Sequence, residues 1–198
     1  MFLHLSSKNE VDEGMEVIHS NLKIYMHGYI IWENKIYWGK DFSTILAKHI
    51  ESNAIDDKIS EYNGCYHIVI LYYKELIVVN DRWGVFPLFY YKGDSDIYIS
   101  ERWTQLLEYS GRKIRKDATY EAICFGYVLG NKTLIQGIHE FGPHAQYRIS
   151  VKNEKLNFRK KDYWHLQHNF DQPKRHPMEF KELWESRMQL FAEHIKEQ

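Results

Sequence analysis

The residues best able to do chemistry in this sequence are two cysteines and one acidic–basic pair. Cys65 and Cys124 lie far apart and form no CxxC motif. Both fall within apolar segments, so we predict buried thiols that pack as small hydrophobic groups rather than reactive nucleophiles. Asp81 and Arg82 stand between two apolar runs, and we interpret them as a pair that braces a turn, with Gly84 supplying unusual backbone angles.

Three histidines, His165, His168 and His176, lie in a polar stretch near the end of the chain. No cysteine or carboxylate accompanies them at a spacing that suits zinc. We therefore predict solvated imidazoles, with no metal site and no cofactor-binding residue in this chain. The basic run at 159–161 is interpreted as a solvated loop.

The overall composition is typical of a globular domain. The chain has 198 residues, of which 44% are hydrophobic and 27% charged, so it can bury a core and is not disordered. A net charge of −1 argues against nucleic-acid and anionic-membrane partners, which need a basic face. The first residues lack a signal-peptide pattern and no apolar run suits a bilayer span, so we predict a soluble cytoplasmic protein.

Alternating apolar residues and turn signals predict a chain rich in strands, in keeping with an aromatic content of 16%. A hairpin is predicted around the turn residues Glu33, Asn34 and Lys35, and a second one around 153–154. Between them lies a predicted meander whose first two strands are adjacent near the centre of a sheet. Its strands are expected at 65–73, 76–79, 87–91 and 97–100.

Helical periodicity predicts short helices around these strands. One would be capped by Asp41 or Ser43, another by Asp117. The apolar positions of these two helices are Ile45, Leu46, His49 and Ile50 in the first, and Tyr120, Ile123 and Cys124 in the second. Further helical stretches are predicted at 56–62 and 101–109. A domain over 1–164 would then be followed by a linker at 165–178 and an amphipathic helix at 179–198.

Four blocks, in order, resemble the N-terminal glutaminase domain of asparagine synthetase-type enzymes, a class II glutamine amidotransferase domain. Residues 62–70 resemble the family string LNGMFAFAI, 80–91 resemble ARDRxGxKPLYY, with 99–101 then resembling the end of FASE, 125–138 resemble FGYVPGPRTIFKGI, and 163–166 resemble YWDL. The matching motif residues are Asn63, Gly64, Asp81, Arg82, Gly84, Pro87, Ser100, Glu101, Gly126, Tyr127 and Gly137. We interpret them as structural, although Asp81 and Arg82 also admit interpretation as a remnant of a glutamine site.

The resemblance implies an α+β fold of the Ntn-hydrolase type, an αββα sandwich of two antiparallel sheets between helical layers. It also implies hydrolysis of glutamine by an N-terminal cysteine, whose free α-amine takes and returns the proton. Here the second residue is Phe2, and Ser6 or Ser7 would serve only after unusual processing. The nearest counterpart of the family's NGE oxyanion segment is Glu33-Asn34-Lys35, and no SDTE substrate anchor is found. We therefore predict a degenerate domain without catalytic residues.

The most favoured function is that of an inactive glutaminase-like domain, which acts as a scaffold or substrate-docking domain of an asparagine synthetase-like ATP-dependent amide-forming protein. By resemblance, such degenerate domains occur in β-lactam synthetases and lasso-peptide cyclases. ATP and Mg are implied only for a following synthetase domain, whose start the C-terminal helix would be. The partner would be that domain in cis, or a separate protein or peptide. A stand-alone binding module is the alternative, and an active glutaminase with a processed N-terminus is a third.

Overall fold

The computed structural model describes residues 1–6, 10–152 and 155–166, together with Lys181 and Glu185. Its strands are β1 (Phe2–Ser6), β2 (Glu10–Glu13), β3 (Glu16–His19), β4 (Leu22–Trp32), β5 (Lys35–Trp38), β6 (Asn63–Tyr72), β7 (Glu75–Asn80), β8 (Phe89–Lys92), β9 (Asp96–Ser100), β10 (Ile138–Glu140), β11 (Ala145–Lys152) and β12 (Lys155–Asp162). Its α-helices are α1 (Ser43–Glu51), α2 (Ile55–Lys58), α3 (Leu107–Ser110) and α4 (Lys116–Phe125). Short 3₁₀ turns occupy Gly39–Phe42, Ile59–Glu61 and Trp103–Leu106.

These strands form two antiparallel sheets. The smaller sheet has the order β10-β8-β9-β1-β2, and the larger has the order β12-β11-β7-β6-β4-β3, with β5 also paired to β4. The predicted α+β class with two antiparallel sheets is confirmed. The chain divides into the units Met1–His165 and Leu166–Gln198. In the second unit Lys181 and Glu185 are helical, and the rest of the predicted linker and C-terminal helix beyond Leu166 lies outside the described residues.

The centre of the larger sheet is buried on both faces, as an almost uninterrupted apolar strand requires. In β6, Ile68 and Ile70 pack under α1 and α2. The alternate residues, Val69 and Leu71, point the other way and pack between the two sheets. One strand therefore serves two hydrophobic cores.

The predicted continuous meander is wrong in its second half. β6 and β7 are adjacent near the centre of the larger sheet, but β8 and β9 belong to the smaller sheet. The reason is the turn after β7, where the Asp81 carboxylate accepts backbone N–H groups and redirects the chain. The segment between β7 and β8 crosses the layer between the sheets, which lie roughly 10 Å apart, and Leu88 at its end is fully buried there.

The strand pairing of both predicted hairpins is confirmed, although the turn residues 153–154 of the second lie outside the described residues. β4 and β5 are joined by Glu33 and Asn34, whose φ values of 48° and 61° are those of the mirror-image turn that suits hairpins. β11 pairs with β12 along its full length. The basic run at 159–161, however, lies in β12 and not in a loop. β12 is an edge strand, where exposed charges discourage pairing with another chain.

Helix capping differs from the prediction at both helices. The residue before α1 is Phe42, which is already helical because a 3₁₀ turn leads directly into α1. No cap geometry exists there, since a capping residue needs an extended backbone; Ser43 instead donates a hydrogen bond to Glu16. At α4 the preceding residue is Arg115, and Asp117 lies inside the first turn.

Helix α4 buries few of its side chains. In α4 only Ala118 is fully buried, whereas Tyr120 and Ile123 are 68% and 75% exposed. Cys124 is exposed as well, so the prediction of a buried thiol there is wrong. The apolar stripe of this helix is exposed, and periodicity could not reveal that. Among the described residues no helix has the length and apolar character needed to cross a bilayer.

Candidate functional site

A polar cluster occupies one end of the layer between the two sheets. We call it the imidazole–carboxylate cluster; it consists of Tyr25, His27, His67, Glu101 and the amino group of Met1. Tyr25 and His27 project from β4, and His67 projects from β6, directly opposite His27 in the strand register. Glu101 follows the last residue of β9, which pairs with Phe2 at the start of β1. Both sheets therefore contribute side chains to the cluster.

Glu101 is the centre of this cluster. Its Oε2 lies 2.7 Å from the Met1 amino nitrogen. Its Oε1 accepts a hydrogen bond of 2.8 Å from the Tyr25 hydroxyl and lies 2.8 Å from His27 Nδ1 and 3.2 Å from His67 Nε2. One carboxylate thus faces one amine, one phenol and two imidazoles.

These contacts favour the ionised form of Glu101. The neighbouring His67, together with the Met1 amine and Tyr25, lowers the pKa of Glu101 far below its usual range, although partial burial acts in the opposite direction. For Tyr25, burial and the adjacent carboxylate both raise the pKa. The cluster therefore holds a carboxylate anion beside a neutral phenol at neutral pH.

His67 is held in place by its surroundings. It is only 1% exposed, and its Nδ1 lies 3.4 Å from the backbone carbonyl oxygen of Phe86. The His27 ring packs against the Phe86 ring at 4.6 Å and lies 5.3 Å from the His67 ring. Gly28 makes this packing possible, because a Cβ at its φ of +91° would lie 2.7 Å from the Phe86 ring and 2.1 Å from the Cys65 carbonyl oxygen.

A comparison with known protein families identifies the type of domain over most of the chain. Residues 21–164 match a family described as "Glutamine amidotransferase domain". The chain belongs to this family. No match was found among curated proteins.

The solved structures similar to this domain include the following two. One is a glutamine phosphoribosylpyrophosphate amidotransferase from B. subtilis complexed with ADP and GMP, with 15% identity and a TM-score of 0.45 over 73% of this chain. The other is described as an allosteric regulatory enzyme of purine biosynthesis, with 16% identity and a TM-score of 0.44 over 73% of this chain. The aligned region covers 30% and 29% of the length of those two chains.

The motif residues of this amidotransferase domain fall into two groups. Seven lie around the ends of β6, β7 and β9, namely Asn63, Gly64, Asp81, Arg82, Gly84, Ser100 and Glu101. Ser100 lies next to the cluster, with its hydroxyl 3.3 Å from the Met1 carbonyl oxygen. Gly64 has a φ of +120° and allows β6 to approach β4 closely. Away from these, Pro87 is exposed before β8, Gly126 ends α4, Tyr127 is exposed, and Gly137 lies beside Tyr91.

Asp81 braces its turn without help from Arg82. Its buried carboxylate accepts backbone N–H groups from Tyr66 in β6 and from Trp83, Gly84 and Val85 in the turn. Arg82 instead donates to the Ser60 carbonyl oxygen and lies over the Trp164 ring. The predicted pair is therefore corrected to a single bracing carboxylate. The left-handed φ of +64° at Gly84 explains the glycine found there.

Sequence reasoning missed three members of the cluster, namely Tyr25, His27 and His67. The one local signal was His67, a lone imidazole in a strand that is otherwise apolar or aromatic. His27 and Tyr25 carry no such signal, because they alternate with hydrophobic residues as exposed strand positions do. Their approach to Glu101 depends on the pairing of β4 with β6 and on the packing of the two sheets.

Proposed function

We propose that this amidotransferase domain does not hydrolyse glutamine and acts as a docking domain of an asparagine synthetase-like, ATP-dependent amide-forming protein. ATP and Mg would then bind to a synthetase domain, either in the same polypeptide or in a separate subunit. The observation that carries the docking role is the exposed apolar surface on α4 and its flanking segments.

The absence of a suitable nucleophile in the cluster supports loss of hydrolysis. The residues at the start of β1, beside the cluster, are Met1 and Phe2. Their side chains bear neither thiol nor hydroxyl. The Met1 amine forms a salt bridge with Glu101, and the Phe2 ring packs with Tyr109. The amine is therefore engaged with a carboxylate and not with a thiol or hydroxyl.

The counterpart of the oxyanion segment also supports loss of hydrolysis. Glu33 and Asn34 are the two turn residues of the β4–β5 hairpin, where each adopts a positive φ. An oxyanion hole requires donors aimed at the developing charge, and a displaced donor loses most of its effect. We therefore expect that the turn at Glu33 and Asn34 does not form an oxyanion hole.

The proposed docking surface, which we call the α4 face, is defined by large apolar side chains of α4 and its flanking segments that are 41–75% exposed. These are Trp103, Ile114, Tyr120, Ile123, Phe125, Tyr127, Leu129 and Leu134. A groove of about 550 Å³ runs along part of it, lined by Trp103, Ile114, Leu134 and others. Large grouped apolar patches on a protein surface mark interaction sites.

The proposed occupant of the α4 face is a synthetase domain. The block at 125–138 that resembles the asparagine synthetase family begins on this face. Phe125 and Tyr127 are 58% and 62% exposed, so burial in this domain does not account for them. A role in contact with a second domain accounts for both the residue types and their exposure.

Charge substitutions on the α4 face test this proposal. A synthetase domain found in the same or a neighbouring gene is to be purified, and its association with this chain measured by sedimentation equilibrium. Ile123→Glu should weaken association at least about tenfold, because a charge in a buried apolar contact is costly. Val17→Glu is the matched control, since Val17 is 63% exposed on β3 and should leave association unchanged.

Two results would overturn the proposal. Equal association by the Ile123→Glu and Val17→Glu variants would exclude the α4 face as the contact. A gene and its neighbours without any ATP-dependent synthetase domain would instead favour a stand-alone binding module that uses the groove for a peptide or metabolite.

A further inference from the structure

We propose that His27, His67 and Glu101 form a binding site for a divalent transition-metal ion, and that zinc is the ion their chemistry fits best. Two imidazoles and one carboxylate are a ligand set that zinc uses in proteins. This inference does not rest on the docking role. It concerns a different part of the domain, the imidazole–carboxylate cluster, and what that cluster binds.

The distances between the donor atoms suit a common metal ligand sphere. Glu101 Oε1 lies 2.8 Å from His27 Nδ1 and 3.2 Å from His67 Nε2, and all three donor atoms lie within 4.8 Å of one another. Ligands at zinc-bond lengths on a tetrahedron are separated by about 3.3 Å. Small side-chain movements would therefore bring the three atoms into coordination.

The buried Nε2 of His67 is the feature that points most directly to a metal ion. In the tautomer that can ligate a metal, His67 Nδ1 donates to the Phe86 carbonyl oxygen, which can only accept, and Nε2 carries the lone pair. In that tautomer Nε2 and the Glu101 carboxylate are two acceptors that face each other. Nε2 is buried and has no hydrogen-bond partner, since its approach to Glu101 lies outside hydrogen-bond geometry. A cation between the two acceptors removes this conflict.

The surroundings match those of known metal-binding imidazoles. A ligating histidine normally donates its second ring N–H to a carbonyl or carboxylate, as His67 can do toward Phe86. The Tyr25 hydroxyl and the Met1 amine would hold the ligating carboxylate from outside the coordination sphere. His27 is 45% exposed, so an ion can reach the site from solvent.

Zinc titration of the folded chain tests the proposal. Isothermal titration at neutral pH should show about one zinc ion bound per chain. His27→Gln should weaken binding at least about tenfold, because it removes one of the ligands. His19→Gln is the matched control, since His19 and Glu51 form a surface pair with a contact of 2.9 Å, close to the 2.8 Å between His27 and Glu101, but without a second imidazole.

Folding and ligand identity are checked with separate measurements. His27 is half-exposed, so circular dichroism of the His27→Gln variant should be unchanged without metal. Cobalt(II), used in place of zinc, should give visible absorption bands of a low-coordinate nitrogen- and oxygen-bound ion in the original chain and not in His27→Gln. His67→Gln provides a second ligand variant with the same expected loss.

Two outcomes would overturn the proposal. The first is no saturable zinc binding by the folded chain, which would leave the cluster as a hydrogen-bonded network around Glu101. The second is an equal loss of binding in His19→Gln and His27→Gln, which would assign the zinc to nonspecific surface contacts. Neither outcome bears on association through the α4 face.

Discussion

Helices α1 and α4 have similar apolar periodicity in the sequence but opposite roles in the fold. Leu46, Ala47 and Ile50 of α1 are buried against the larger sheet. Tyr120 and Ile123 of α4 are exposed, and only Ala118 is buried. An apolar stripe therefore shows that a helix has a face to cover, and only the tertiary structure shows whether the same domain covers it.

The largest effect is expected from the core side of this comparison. Leu46→Ala should lower the free energy of unfolding by about 2–4 kcal/mol, because it removes buried methyl groups and leaves a cavity. Leu46 has no exposed surface, so contacts with water cannot replace the packing contacts that the substitution removes. Urea denaturation monitored by circular dichroism measures the change, and a loss below about 0.5 kcal/mol would mean that α1 does not pack as described.

A smaller, pH-dependent effect is expected where the α1–α2 layer is tied to the larger sheet. Asp56 in α2 accepts hydrogen bonds from Gln146 and Arg148 in β11. Burial raises the pKa of Asp56, but the hydrogen bonds from Gln146 and Arg148 lower it by a larger amount. The folded pKa therefore lies below the ordinary value of 3.8. The ionised Asp56 carboxylate, paired with Arg148, therefore stabilises the fold at pH values above 3.8. This contribution is lost as the pH falls through the folded pKa of Asp56.

The variant Asp56→Asn measures this contribution. At neutral pH it should be less stable than the original chain by at most about 1 kcal/mol, since the group is partly exposed. The difference should vanish in acid. Asp57→Asn makes the same charge change at the exposed neighbouring position and should show no such dependence. A difference in the free energy of unfolding between the original chain and Asp56→Asn that persists unchanged into strong acid would contradict the assigned role of the carboxylate.

The smallest effect on stability is expected from the α4 face. Ile123→Ala should change the free energy of unfolding by less than about 0.5 kcal/mol, because its side chain is already 75% exposed. The same urea experiment as for Leu46→Ala measures it. A loss comparable to that of Leu46→Ala would show that α4 is part of the domain core, which would remove the basis of the docking proposal.

The sequence predicted local structure well where turn chemistry and alternation agree. Glu33, Asn34 and Lys35 marked a hairpin turn, of which Lys35 proves to be the first residue of β5, and the apolar run of β6 marked a strand near the centre of a sheet. The assignment of β8 to a second sheet was not predictable, because it depends on the Asp81 carboxylate collecting backbone N–H groups from the turn and from β6.

The candidate site was less predictable than the fold. Glu101 was identified from its motif, but the motif does not show that Tyr25, His27 and His67 surround it. Those contacts arise from the register between β4 and β6 and from the packing of one sheet on the other. Likewise, Cys124 looked buried because its neighbours are apolar, and its exposure follows only from the orientation of α4.

The measurement that tests the central claim most directly is release of glutamate from glutamine by the purified chain at neutral pH. Intact-mass analysis should accompany it to define the N-terminal residue, with a competent glutaminase as the positive control. The account predicts no glutamate above the enzyme-free background, and no covalent labelling by diazo-oxo-norleucine, because Met1 and Phe2 provide no nucleophile beside Glu101. Sustained glutamate release from a chain that begins at Ser6 or Ser7 would contradict it and restore a hydrolytic function to the domain.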